Sequence, residues 1–173
     1  MRSCADRGAL ALAALLACSA ASPETEVREA LARTGAAELP AADGAPLALS
    51  RLRFGDVVVS MDGPRALVLA VVEADGAVGA DGPAVAYVGR EAFAMERCRV
   101  RRWCLADLPA LRGVVAALRE APRDPGARVV AWQVRVERDA ATAGEDYELG
   151  GRAVRTVRHL RRDGGGWRVV ASP

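Results

Sequence analysis

The chain is 173 residues long and carries 24 basic and 22 acidic side chains, for a net charge near +2 at pH 7. Every basic residue is arginine, which is typical of the coding bias of a GC-rich genome rather than of a function. A balance this close to neutral makes no general case for nucleic-acid binding, so we predict no nucleic-acid partner.

Residues 1–17 have the pattern of an export signal. A short polar start carries Arg2 and Arg7, and every residue from Gly8 to Ala17 is apolar or small, as in the n-region and h-region of a secretory signal peptide. The apolar run 9–17 is about half the length that a membrane-spanning helix needs. We therefore predict a cleaved signal at 1–17 and an exported protein.

The end of this segment, Leu15-Leu16-Ala17-Cys18-Ser19, resembles the lipobox of bacterial lipoproteins. In that family the processing peptidase requires a Leu three residues before a cysteine and a small residue directly before it. The resemblance implies that Cys18 becomes the mature N-terminus, carries the lipid and anchors the protein to the lipid bilayer of the cell envelope. Ser19 stands where some lipoproteins carry the Asp that retains them in the inner membrane, which favours the outer membrane. The alternatives are signal-peptidase cleavage within 18–22, giving a periplasmic or secreted protein, and a buried N-terminal helix of a cytosolic protein.

The number and positions of the four cysteines, Cys4, Cys18, Cys98 and Cys104, agree with an exported lipoprotein. Cys4 would leave with the signal and Cys18 would be acylated, so two thiols remain in a compartment where disulfides persist. We predict a Cys98–Cys104 disulfide, whose short loop contributes about 2 kcal/mol in the chain-entropy model. The C-x5-C spacing and the single distant histidine do not fit zinc sites, so we predict no metal. Free buried thiols and a redox-active pair remain the alternatives.

The region after the signal predicts a helix and a linker. Ser22 is a good N-cap, Pro23 suits the first helical position, and Gly35 ends the helix. Residues 36–49 are rich in Pro, Gly and Ala, which indicates an irregular connection. We assign the helix and linker to 18–50, and a single α+β domain to the rest of the chain, 51–173.

The next stretch predicts a hairpin and a further strand. Residues 56–60 and 66–72 are apolar and are separated by turn residues, and 85–88 can form another strand. Residues 89–95 fit a strand or a turn of helix equally well. The predicted turns lie at 61–64, 75–76 and 81–83.

The second half predicts one helix and a terminal meander. Asp107 caps a helix that has Leu108, Leu111, Val115 and Leu118 at core-facing spacing, with Pro122 beyond its end. Alternation over 130–136 predicts a half-exposed strand. The segments 153–162 and 167–171 are joined by the turn signal Asp163-Gly164-Gly165-Gly166, which completes a three-stranded antiparallel meander.

Together these elements predict an α+β fold, a curved antiparallel sheet packed against one or two helices. The closing segment 154–170, with its arginine-bearing strand, D-G turn and W-R-V strand, resembles the final hairpin of the nuclear transport factor 2-like (SnoaL-like) superfamily. That resemblance implies an NTF2-like cone with a pocket, which some members use for acid/base chemistry on apolar substrates and others for binding.

Three residues are weak candidates for catalysis. His159 is a candidate because histidine is the side chain that most often transfers protons in catalysis, but strict alternation places it with Arg155 and Arg161 on a solvent-facing side. Asp146 and Tyr147 offer an acid and a phenol, but the composition of 144–151 is typical of an exposed hairpin loop. We therefore interpret His159 as a surface histidine and assign no catalytic residue.

The sequence lacks the common nucleotide, hydrolase and metalloprotease motifs, so we predict no cofactor. Our first functional hypothesis is a non-catalytic envelope lipoprotein that binds a protein or small ligand near the membrane. The alternative is a SnoaL-like pocket enzyme that carries out proton transfer or hydrolysis on an apolar small molecule.

Overall fold

The computed structural model describes residues 21–40, 45–99 and 102–170. This part of the chain forms two helices and one nine-stranded sheet. The helices are α1 (Pro23–Arg33) and α2 (Pro109–Glu120). The strands, in chain order, are β1 (Ala37–Leu39), β2 (Leu47–Asp62), β3 (Arg65–Val78), β4 (Ala84–Arg99), β5 (Arg102–Leu105), β6 (Arg128–Glu137), β7 (Ala140–Leu149), β8 (Arg152–Asp163) and β9 (Gly166–Val170).

The strands lie in the order β1-β2-β3-β4-β6-β7-β8-β9, and β5 pairs with β4 beside this path. Every pair of neighbours is antiparallel except β4 and β6, which run parallel. One edge of β4 pairs with β3, and the other pairs with β6 over 84–89 and with β5 over 95–99. A parallel pair needs a long crossover connection, which here contains β5 and α2.

The predicted α+β class, with its antiparallel sheet packed against helices and its NTF2-like cone, is wrong. Of the described residues, 62% lie in strands and 16% in helices, so the fold is mainly β. Asp75-Gly76, predicted as a turn, lies inside β3, and 144–149, predicted as loop, belongs to β7. Ala, Gly and Asp have low strand propensity, but hydrogen bonding to a strand on either side holds these segments extended.

The other strand predictions differ from the structure mainly in length. The hairpin at 56–72 is confirmed, although β2 and β3 extend well beyond it, and 89–95 continue β4. The hairpin around 163–166 is confirmed, but the terminal meander has four strands, β6 to β9, because β7 is one of them. Part of the expected irregular connection after α1 is strand β1, which pairs with β2.

One face of the sheet is buried and carries the core. Alternate residues of each long strand point to this face, and apolar side chains of both helices pack into the same cluster. Members of this core that are almost completely buried include Val27, Leu39, Val68, Val72, Met95, Leu108, Leu111 and Leu118. Both helices therefore lie on one side of the sheet.

Helix α1 begins as the sequence predicts. The Ser22 side chain accepts a hydrogen bond from the Thr25 backbone N–H, and Pro23 is the first helical residue. From the same helix, Glu26 accepts hydrogen bonds from Arg97 at 3.2 Å and from the Trp103 indole at 3.3 Å. These contacts fasten α1 to β4 and β5.

The N-terminus of α2 is capped by a buried carboxyl group from β4. The predicted cap, Asp107, accepts a hydrogen bond from the N–H of Leu108, the residue before the helix, and the helix N–H groups of Ala110 and Leu111 instead donate to Glu91 at 3.2 and 2.9 Å. Acidic groups are favoured at this end because the first helical N–H groups have no partner within the helix. Glu91 thus makes the cap across 20 residues of sequence.

Tyr87 completes this cap. Its hydroxyl donates to Glu91 at 2.6 Å, and the two residues lie on the same face of β4, either side of Gly89. A Cβ atom at Gly89 would lie 2.7 Å from the Tyr87 hydroxyl oxygen and 2.8 Å from Val136. Glycine at this position therefore leaves the space that the tyrosine occupies.

The C-terminus of α2 is held by an arginine that is itself bound to a buried glutamate. The Arg123 guanidinium donates to the carbonyl oxygens of Leu118, Arg119 and Ala121. It also makes two parallel hydrogen bonds of 3.0 Å to the carboxylate of Glu145 in β7. A cation satisfies the free carbonyl groups at this end and opposes the negative pole of the helix.

The structure contains the predicted disulfide between Cys98 and Cys104, whose Cα atoms lie 5.8 Å apart. Cys98 is near the end of β4 and Cys104 is in β5. The bridge therefore joins two paired strands just before α2 begins, and the two cysteines are not free thiols in this structure.

Candidate functional site

The second face of the sheet, which we call the open face, is the one against which neither described helix, α1 or α2, packs. The side chains that point to it from β2, β3, β4, β6, β7 and β8 are all exposed or half-buried. They include apolar groups that stand well into solvent, such as Leu67 at 52% and Val157 at 51% exposure. An uncovered face on a rigid sheet is a natural place for binding.

A groove of about 860 Å³ crosses the middle of the open face. Five adjacent strands, β2, β3, β4, β6 and β7, contribute to it. The open-face residues that line it are Arg51, Arg53, Glu73, Asp75, Ala86, Val88, Gln133, Arg135 and Thr142. Its volume is within the usual range of small-ligand sites.

The strand register sets the order of side chains in this groove. Arg53 lies opposite Glu73, Glu73 opposite Val88, and Val88 opposite Arg135. The neighbouring row begins with Arg51 and Asp75, which form an ion pair of 3.6 Å. Short side chains from β4 therefore form the floor, with charged side chains on both sides.

Three charged groups in the groove are unpaired. Within the described residues, no hydrogen bond or ion pair joins the side chain of Arg53, Glu73 or Arg135 to another residue. Most other charged residues at comparable positions are paired, as Asp146 is with Arg155. The groove thus offers two guanidinium groups and one carboxylate to a ligand.

The three catalytic candidates do not converge. His159 is half-buried on the open face, and its strand partner Thr142 lines the groove. Asp146 is on the same face but lies four residues along β7 from Thr142, about 13 Å away, and Arg155 binds both of its oxygens. Tyr147 points to the opposite face, as the alternation of β7 requires.

The Arg155 guanidinium that hydrogen-bonds to Asp146 holds the pKa of that carboxyl below its ordinary value, although desolvation acts in the opposite direction. A carboxylate engaged in this way is a poor general acid at neutral pH. Asp146 therefore contributes to the surface of the sheet and has no proton to deliver near the groove.

Sequence reasoning missed the residues with the strongest internal contacts. Glu145 is completely buried and accepts hydrogen bonds from Arg123, Arg158 and the Trp132 indole. Alternation of Ala141, Ala143 and Glu145 on one face of a strand was the signal that could have found it, but the glycines around it favoured a loop. Nothing local marks Glu91 as a helix cap.

The predicted signal at 1–17 and the lipidation site Cys18 lie outside the described residues, as does Cys4. Among the residues that are described, no cluster of His, Cys, Asp or Glu is arranged to hold a metal ion. Neither of the two described helices has the length and apolar character needed to cross a membrane.

Comparison with known proteins finds no matching family model, no matching curated protein and no matching solved structure.

Proposed function

We propose that this chain is an exported, lipid-anchored protein of the cell envelope that binds a protein or small ligand on the open face of its sheet, without catalysing a reaction. The uncovered groove of about 860 Å³ supports the binding function most directly. The lipobox-like segment ending at Cys18 supports the anchor. The Cys98–Cys104 disulfide supports an oxidising compartment.

Binding fits the groove better than catalysis does. A catalytic site needs a proton donor or acceptor within hydrogen-bonding reach of a substrate, together with groups that orient it. The open-face side chains that line the groove are three arginines, two carboxylates, one amide and small side chains, and one of the carboxylates, Asp75, is paired with Arg51. The candidates His159, Asp146 and Tyr147 are not among the lining residues. Arginines and carboxylates on a rigid sheet suit recognition of a charged ligand.

The anchor is tested by intact mass spectrometry of the protein expressed with its own signal in a bacterial host. We expect a mature chain that begins at Cys18 and carries the mass of diacylglycerol, with a gain of two hydrogens on reduction. The variant Cys18→Ala should lose both the lipid and the membrane fraction. An unprocessed, unlipidated chain would contradict the proposed location in the cell envelope.

The binding face is tested by photo-crosslinking in the same host. A photoreactive amino acid at Ala86, on the groove floor, should give a discrete crosslinked adduct. The control position is Ala32, an exposed residue of α1 on the other side of the sheet. Equal labelling from both positions would contradict a specific site on the open face.

The enzyme of the SnoaL-like kind, acting on an apolar small molecule, is the second candidate. Only the position of His159, one strand beyond the groove-lining Thr142, favours it. If the groove is catalytic, a compound bound to wild-type protein should be recovered chemically changed, and unchanged from His159→Gln. Recovery of the same unmodified compound from both proteins would rule this candidate out.

A further inference from the structure

The groove on the open face combines opposite unpaired charges on either side of an apolar floor. Glu73 and Arg135 are exposed, and within the described residues neither side chain has a hydrogen-bond or ion-pair partner. The register places Val88 directly between them, in the same row of the sheet. The third unpaired charge, Arg53, lies opposite Glu73 on the side away from Val88. The second acidic residue of the groove, Asp75, is already paired with Arg51.

The spacing of the two backbone positions suggests a length for the ligand. Adjacent strands lie about 4.8 Å apart, so the backbones of Glu73 and Arg135, two strand steps apart, are about 10 Å from each other. An extended peptide advances about 3.4 Å per residue, so its two ends are about 10 Å apart when it has three residues. A tripeptide lying across the strands would therefore place its ends at these two side chains.

We infer that the groove binds a short peptide with free ends, whose amino group pairs with Glu73 and whose carboxylate pairs with Arg135. This inference rests on the proposed binding function and names its ligand class. The arginine guanidinium matches a carboxylate with two parallel hydrogen bonds. Ala86 and Val88 beneath the ligand leave room for a backbone and offer apolar contact to its side chains.

A purely anionic ligand is the competing occupant, because the groove contains three arginines and two acids, a balance of +1. Such a ligand would lie against the Glu73 carboxylate, and desolvating an unpaired charge is costly. A ligand with an amino group satisfies that carboxylate instead. The two ligand classes therefore give opposite results when Glu73 is neutralised.

The test is isothermal titration calorimetry of the full mature protein, purified in detergent, with trialanine as the probe. We expect a dissociation constant below about 1 mM. N-acetylation or C-amidation of the peptide should each weaken binding by about tenfold, the usual effect of losing one charged hydrogen-bonding partner. Glu73→Gln and Arg135→Gln should each weaken trialanine binding by a similar factor.

Matched controls lie on the same face but outside the groove lining. Glu137→Gln and Arg161→Gln remove one charge of each sign from exposed positions of β6 and β8, and both should bind trialanine as the wild type does. Tighter binding of acetylated peptide by Glu73→Gln would overturn the inference in favour of an anion site. The absence of any binding heat when trialanine is titrated into correctly lipidated wild-type protein would also overturn the inference. It would not affect the proposed location in the cell envelope.

Discussion

Glu91 and Glu145 are both buried carboxyl groups that hold the ends of α2, yet their surroundings differ. Glu91 is 2% exposed, and its hydrogen-bond donors within the part of the chain that the structure describes are all uncharged, the Tyr87 hydroxyl and two backbone N–H groups. Glu145 is 0% exposed and is bound by the guanidinium groups of Arg123 and Arg158, besides the Trp132 indole. One carboxyl faces neutral donors and the other faces two cations.

The pKa values of the two groups move in opposite directions for this reason. Burial raises the pKa of Glu91 above its ordinary value, although the hydrogen bonds from Tyr87, Leu111 and Ala110 offset part of the rise. Burial acts in the same sense on Glu145, but hydrogen bonds from Arg123 and Trp132, with the charges of Arg123 and Arg158, lower its pKa. Two carboxyl groups that are both shielded from solvent thus have opposite pKa shifts because the neighbouring charges differ.

The largest loss of stability should come from neutralising Glu145, the carboxylate that is bound by two arginines. Glu145→Gln keeps the shape of the side chain but leaves Arg123 and Arg158 without a counter-charge in a buried site. We expect a loss of about 3 kcal/mol in the free energy of unfolding, measured by urea denaturation. The neighbouring Asp146→Asn, on the open face, is the control and should change stability little. Similar stability of the two variants would show that the cluster is not energetically important.

The Cys98–Cys104 disulfide joins β4 to β5, the strand that precedes α2. Replacing Cys98 and Cys104 together with Ser should lower the free energy of unfolding by about 2 kcal/mol, because the crosslinked loop is short. Reduction of the wild type should lower its urea midpoint to that of the double variant. A midpoint that reductant shifts in both proteins, or in neither, would contradict a stabilising role for the bridge.

A smaller loss of stability is expected when Glu91 is neutralised. Glu91→Gln retains an amide oxygen that accepts from the helix N–H groups, and no cation loses its partner. We therefore expect a loss of about 1 kcal/mol, measured by the same urea denaturation. A cost equal to that of Glu145→Gln would mean that the negative charge of Glu91, and not only its hydrogen bonds, holds the helix.

The smallest expected effect is on the pH dependence of stability, in which Glu91 and Glu145 should act in opposite directions. The raised pKa of Glu91 means that its contribution to stability is complete below pH 4.5 and declines as the pH rises above that value. The lowered pKa of Glu145 means that its contribution is complete above pH 4.5 and is lost as the pH falls below it. We expect Glu91→Gln to flatten the curve above pH 4.5 and Glu145→Gln to flatten it below.

Urea denaturation at a series of pH values measures both slopes, and each variant is the control for the other. The same change of slope in both variants would contradict opposite pKa shifts for the two carboxyl groups.

Several elements could be predicted because their signals are local. The Ser22 cap and Pro23 at the start of α1, and the turn at 163–166, involve residues within a few positions of one another. Alternation predicted β6 for the same reason. By contrast, β7 was missed because its Ala and Gly residues favour a strand only when partners lie on both sides of it.

The candidate groove was even harder to predict from the sequence than β7. Arg53 and Arg135 belong to strands far apart in the chain, and no motif connects them. They lie in one row because β4 pairs with β6 in parallel, a pairing that the sequence did not suggest. His159, the most conspicuous candidate in the sequence, lies one strand beyond the groove.

The sequence by itself determined the start of α1, the hairpin turns at 61–64, 81–83 and 163–166, the half-exposed strand β6 and the pair of cysteines that form the disulfide. Each depends on local backbone preference or on simple counting. Only the tertiary structure decided the extent of the sheet, the partners of Glu91 and Glu145, and the placing of Glu73 opposite Val88 and near Arg135. Those features depend on hydrogen bonding between distant strands, whose register is set by burial of one face of the sheet.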